Sequence, residues 1–216
     1  MIAYSSHLLS PFEELLCAVV LSRPISHCLG LRTIRTILNK PYALRDPLAI
    51  KTAGPKKVLE ALEAAHTQHK GKTADEIALL AEVVSNNDWH NDLSKLRAPS
   101  KNNVESERDV LRRSTKGLGK TGLDIFYRRV QWQWDEASPF VDARTQAAME
   151  RLGLPKRAEE IEKLIESRWN DLNSEDGGGH DLETQKRRAF VVLIEGVIGA
   201  DLEKYIDQVL DEASKL

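Results

Sequence analysis

Two signals in this 216-residue chain carry residue types able to do chemistry: the turn Gly117-Leu118-Gly119 and an isolated carboxylate in Val141-Asp142-Ala143-Arg144. Glycines flanking one apolar residue, just ahead of a helix-compatible run, let backbone N–H groups converge on an anion with no side chain in the way. Such a turn can hold a DNA phosphate. Asp142 lies just over twenty residues further on, where a fixed anion could serve as a catalytic acid or base. Read without its neighbours, the same Asp is a helix N-cap following Pro139 and Phe140.

The elements around the turn read as one helix ending, a tight bend and a second helix whose apolar positions Leu123, Phe126 and Val130 share a face. This is a helix-hairpin-helix over about residues 108–133. Arg108, Arg112, Arg113, Lys116 and Lys120 crowd around the glycines, with Arg108 and Arg112 at i, i+4. A charged helix is by default a solvated face. Beside an anion-binding turn it becomes a candidate phosphate surface.

From these residues the chain resembles the helix-hairpin-helix (HhH-GPD) superfamily of DNA glycosylases that includes endonuclease III, in which a Gly-apolar-Gly hairpin precedes an essential Asp. The segment Ser10-Pro-Phe-Glu-Glu-Leu-Leu-Cys-Ala-Val-Val-Leu-Ser22 is similar to the family's Ser-Pro-Phe-Glu-Leu-Leu helix, which ends in Leu-Ser before a DNA-contacting loop. After Asp142, Arg151-Leu152-Gly153 is similar to the family's downstream Arg-Leu-Gly. Order and spacing are shared over residues 10–153.

The resemblance implies an all-α, two-lobed glycosylase-like fold: a helical barrel over residues 10–138 carrying the hairpin, and a smaller C-terminal lobe over 139–216 with Asp142 at its start. It implies monofunctional hydrolysis of the N-glycosidic bond of a damaged or mispaired base in double-stranded DNA, with the nucleotide flipped from the stack. Asp142 would be catalytic, and Lys116, Gly117, Leu118, Gly119, Lys120, Thr121, Arg112 and Arg23 would contact DNA. Trp132, Trp134 and Phe140 are candidates for the base pocket, although aromatics on helices are more often core. At about 4 Å and an effective dielectric near 20, a carboxylate and a developing sugar cation attract by about 4 kcal/mol. That is nearly a thousandfold in rate.

The chain departs from the family at several positions. The lyase Lys stands two residues after the second hairpin glycine, where this chain has Thr121. Lys120 is one position early, a rotation of about 100° on a helix, so strand cleavage is not expected. Thr115 and Lys116 replace an apolar residue and Pro, Leu123 replaces a small residue, and Ala143-Arg144 replaces Thr-His. The family's wedge falls at Arg23-Pro24, where Arg23 is the side chain able to insert. These changes equally permit an alternative, a catalytically inactive DNA-binding or protein-interaction module on the same scaffold.

Cofactor expectations rest on composition and on the resemblance. With two cysteines, Cys17 and Cys28, no four-cysteine iron-sulfur cluster can form. His66 and His69 have i, i+3 spacing but no further ligand cluster, so no metal is expected. The family's hairpin can hold a monovalent cation through backbone carbonyls. Gly119-Lys120-Thr121 is no P-loop, since Ser114 stands where its first glycine belongs and a charged helix replaces the leading strand.

Charge is distributed unevenly along the chain. Residues 1–135 hold 20 Lys and Arg against 15 Asp and Glu, whereas residues 136–216 hold 11 against 18. The overall net charge of −2 hides this asymmetry. No apolar run reaches eighteen residues and no leader pattern opens the chain, so the expectation is an intracellular protein with no membrane partner, nuclear if eukaryotic.

The spacing predicts helices over 11–22, 26–38, 55–69, 74–84, 104–114, 120–133, 141–152, 158–171, 182–198 and 200–214, with no strand. Asp46-Pro47 opens a short turn, Thr73 and Glu76 form a capping box, residues 85–103 make a polar connection, and 173–181 make a hinge-like loop.

Overall fold

The computed structural model describes residues 1–5, 7–86, 88–172 and 180–215. Every regular element among them is helical. The chain divides into two compact units, 1–126 and 127–216. The division falls after Phe126, earlier than the boundary at 138 read from the sequence, because the end of the hairpin helix is tied through Arg128 to Asp142 and Glu195 and through Gln131 to Phe140.

The first unit is organised by α1 (Pro11–Leu21), whose residues from Phe12 to Val20 are all buried. Its start is written into the sequence. Ser10 Oγ accepts from Glu13 N, Glu13 Oε2 accepts from Ser10 N, and Pro11 occupies the first turn, where its missing N–H costs nothing. Each fully buried Leu or Phe on this helix contributes about 1.5–3 kcal/mol. Two carboxylates share that burial. Glu13 meets Arg45 Nε at 2.5 Å, and Glu14 Oε1 accepts from Leu9 N at 2.9 Å.

Helix α2 (His27–Leu38) is capped by Ser26, and α3 (Pro47–Ala64) by Asp46. The short turn expected at Asp46-Pro47 is instead the first turn of α3. Gly54, at φ 77° and ψ 165°, is non-helical and divides this span into two helical segments, so the glycine-proline pair is a break and Pro55 opens the second segment, where the sequence places a helix start. Helix α4 (Lys70–Asn86) packs against α3 and α1. It corrects the capping-box expectation: Thr73 already lies inside the helix, where its amide bonds His69 O, and its buried hydroxyl has no hydrogen-bond partner. Glu76 faces inward rather than back toward the helix start.

The stretch after α4 is less open than its polar composition suggests. Trp89, Leu93 and Leu96 are buried, the last two on a 3-10 turn over Leu93–Leu96. Helix α5 (Val104–Ser114), capped by Asn103, then leads to the glycine turn and α6 (Lys120–Val130).

The second unit contains α7 (Ala143–Arg151), α8 (Ala158–Ser167), the single-turn α9 (Trp169–Leu172), α10 (Leu182–Leu202) and α11 (Ile206–Ala213). Val141, Met149, Ile161, Ile165, Phe190, Ile194, Val197 and Ile198 form its core, with α10 packed on α7 and α8. Asp181 caps α10 by accepting from Thr184 N at 2.8 Å. The rest of the expected hinge loop, 173–179, lies outside the described residues. No helix among the described residues is long and apolar enough to cross a membrane.

Candidate nucleic-acid interface

The glycine turn is built by an asymmetric use of its two glycines. Gly117 has φ +87°, a conformation that a side chain makes costly, while no such conformation is needed at Gly119. A Cβ on Gly117 would sit 2.2 Å from Glu76 Oε1, whereas a Cβ on Gly119 would meet nothing within 4 Å. Leu118 between them is buried and anchors the turn inward. Its amide bonds Thr115 O at 3.3 Å, and Leu123 N bonds Gly119 O at 3.0 Å, which starts α6.

With the apolar residue turned in, the polar groups face out. Arg112, Lys116, Gly117, Gly119, Lys120 and Thr121 are all exposed. The amides of the first turn of α6 have no carbonyl four residues back, so they and the helix dipole present donors where these cations cluster. Local carboxylates hold some of the cations. Lys120 Nζ lies 2.6 Å from Asp124 Oδ2, and Asp124 Oδ1 accepts from Arg108 at 2.9 Å. Arg112 and Arg113 both reach Asp109. The exposed pairs of Arg112 and Arg113 with Asp109 are worth about 0–1 kcal/mol each, so a phosphate can exchange with them, whereas Arg108 and Asp124 are largely buried. The carbonyls of Thr115, Gly117 and Gly119 each accept a hydrogen bond within the protein, from Leu118, Arg23 and Leu123.

Arg23 is placed otherwise than the sequence suggests. Its side chain is only 10% exposed and is tied at all three nitrogens: Nε donates to Val19 O at 3.0 Å, Nη2 donates to Gly117 O at 2.9 Å, and Nη1 lies 2.7 Å from Glu76 Oε2. A guanidinium held this way is no wedge for a vacated base stack. Ser22, just before it, lies beside Gly122, where a Cβ would come 3.5 Å from Ser22 Oγ. The end of α1 is therefore the seat of the hairpin, and Glu76 is a member that the sequence reading assigned to a cap.

Asp142 belongs to the second unit and is the N-cap of α7. Oδ1 accepts from Arg144 N at 3.0 Å and Thr145 N at 3.2 Å. Oδ2 accepts from Thr145 Oγ1 at 2.7 Å and Arg128 Nη1 at 2.8 Å. Four donors fill the acceptor sites of one carboxylate. Its side chain is 7% exposed, as is that of Arg128, whose Nε donates to Glu195 Oε1 at 2.5 Å. Burial pushes the Asp142 carboxyl up, but the Arg128 charge and the hydrogen bonds from Thr145 and Arg128 outweigh it and hold it below its ordinary value. It is an ionised group with its lone pairs engaged, which makes it a poor proton acceptor. Arg128 carries no sequence signature of its own, and Glu195 stands out only as a lone charge in an apolar helix.

The aromatic candidates differ in burial and in their neighbours. Trp134 is fully buried, edge-on to Tyr127 at 6.3 Å. Trp132 is half-buried, with the Arg188 guanidinium 5.4 Å from its ring and His180 edge-on at 5.9 Å. Phe140 is pinned through its backbone by Gln131, whose amide both accepts from Phe140 N and donates to Phe140 O. Cys17 is buried and Cys28 exposed, both free thiols. Among the described residues no group of three His, Cys, Asp or Glu side chains is arranged to hold a metal ion.

No family model, no curated protein and no solved structure matches this chain.

Proposed function

We propose that this chain binds the phosphate backbone of double-stranded DNA through its glycine hairpin and does not cleave the glycosidic bond. The observation that carries this reading is the hairpin itself: Leu118 turned into the core, Gly117 in the left-handed region, and the start of α6 exposed among Arg112, Lys116, Lys120 and Thr121. Phosphate contacts made by amides and flexible cations position a protein without reading bases. Binding is therefore expected to be indifferent to sequence and micromolar, on the order of 10⁻⁴–10⁻⁶ M at physiological salt. The unit that carries the hairpin is also the more basic one. Residues 1–126 carry 18 Lys and Arg against 14 Asp and Glu, while 127–216 carry 13 against 19. A DNA-binding role implies an intracellular site of action, the nucleus in a eukaryote.

Base excision at Asp142 is the second reading, favoured by one observation: Asp142 and Glu195 are two carboxylates on a single guanidinium, so the cluster keeps a net negative charge beside Arg128. Against it stands the engagement of all of Asp142's acceptor sites. Release of free base from duplexes carrying uracil, hypoxanthine, alkylated or oxidised bases separates the two. We expect none from any of them, with duplex binding retained in Asp142→Asn. Excision that Asp142→Asn abolishes would replace the binding-module reading with the enzymatic one.

A further inference from the structure

The hairpin is held by one guanidinium that touches three separate parts of the first unit. Arg23 donates from Nε to Val19 O on α1 and from Nη2 to Gly117 O in the turn, while Nη1 forms an ion pair at 2.7 Å with Glu76 on α4, whose buried oxygens accept no hydrogen bond. Glu76, 4% exposed, lies against Gly117 so closely that a Cβ there would have to displace its carboxylate. A planar fork can meet three partners at once in this way, and an ammonium cannot. The carbonyl that Arg23 holds belongs to the residue whose left-handed φ sets the direction of the turn.

From this geometry we infer that Arg23 and Glu76 form a positioning clamp that fixes the hairpin in its phosphate-binding conformation, with Arg23 itself making no contact with DNA. The inference rests on the DNA-binding reading above and adds to it a pair of residues behind the interface. Glu76 has two jobs in the clamp. Its charge orients the guanidinium, and its carboxylate forms the wall against which Gly117 packs. Rigidifying a binding loop in its bound conformation raises affinity by lowering the ordering cost on association.

The two possible roles of Arg23 give opposite signs for one substitution. If Arg23 positions the turn, Glu76→Gln weakens duplex binding in the same direction as Arg23→Gln, roughly three- to tenfold each from lost preorganisation. The double variant is then no weaker than the worse single one, because both remove one device. The slope of log K against log salt stays at its wild-type value, since the number of phosphates contacted is unchanged. Arg23→Lys does not restore affinity. If Arg23 touches phosphate directly, Glu76→Gln instead frees the guanidinium and tightens binding, and Arg23→Gln makes the slope shallower by about 0.9.

Amide exchange on the same variants, without DNA, tests the clamp apart from the function. Leu118 N and Leu123 N, whose bonds close the turn, should exchange at least about tenfold faster in Arg23→Gln and Glu76→Gln while the amides of α2 keep their protection. Wild-type protein that fails to bind any duplex, together with this local loss of protection, would overturn the DNA-binding reading and keep the clamp. Unchanged exchange at Leu118 and Leu123, protection lost throughout the first unit, or tighter binding in Glu76→Gln would each overturn the clamp.

Discussion

Arg128 and Asp142 form a buried ion pair of 2.8 Å in which each side chain is 7% exposed, and the same Asp142 caps the helix that begins at Ala143. A carboxylate in that position stabilises a fold. Removing Asp142 takes away the α7 cap and one of the two buried carboxylates on Arg128 while Glu195 remains, which costs about 2–4 kcal/mol. Asp142→Ala should lower the stability of the second unit by that amount in urea unfolding. Asp142→Asn keeps an acceptor for Arg144 N and Thr145 N and should lose less. A change under about 1 kcal/mol in Asp142→Ala, the size of a lost exposed pair, would mean that the carboxylate is not structural.

The same pair sets a pH dependence. Because the folded Asp142 carboxyl is held below its ordinary value of 3.8, the unfolded chain takes up its proton first as acid is added. The stability from the ion pair is therefore fully present above the unfolded value and is lost as pH falls through the depressed folded one. Urea midpoints for wild type and Asp142→Asn should differ by a constant amount above about pH 5 and converge at lower pH. A gap that widens on acidification would contradict the pair.

The hairpin glycines make unequal demands. Gly117→Ala must place a Cβ at φ +87° and against the Glu76 carboxylate, whereas a Cβ at Gly119 enters open space. The backbone strain alone is about 1–3 kcal/mol. Thermal denaturation should show Gly117→Ala clearly destabilised and Gly119→Ala within about 0.5 kcal/mol of wild type. Equal effects would mean that the turn is not held as described.

Much of the helical frame is legible in local sequence because its signals act within a few residues. Ser10 with Glu13, the ending of α5 at Ser114 and the start of α6 at Lys120 all reflect capping and glycine placement. Local reading fails where a tertiary partner overrides it. Thr73 is no cap because Lys70 to Lys72 are already helical, and Glu76, its expected partner, is turned toward Arg23 and Gly117 instead. The site is harder to read still. The hairpin cations are visible as a cluster, but the partner of Arg23 lies at Glu76 and that of Asp142 at Arg128, pairs that no spacing rule connects. A buried carboxylate and a catalytic one look alike in sequence, since only the number of donors around the oxygens tells them apart.

The most direct measurement is duplex affinity across a salt series for wild type and the Lys116→Glu/Lys120→Glu double variant. Wild type should bind with a log-log slope of about −1 to −2, as one or two phosphates require, and the variant should lose most of that binding while its helix content is unchanged. Binding with no dependence on salt, or an affinity that charge reversal at Lys116 and Lys120 leaves intact, would contradict phosphate binding by the hairpin.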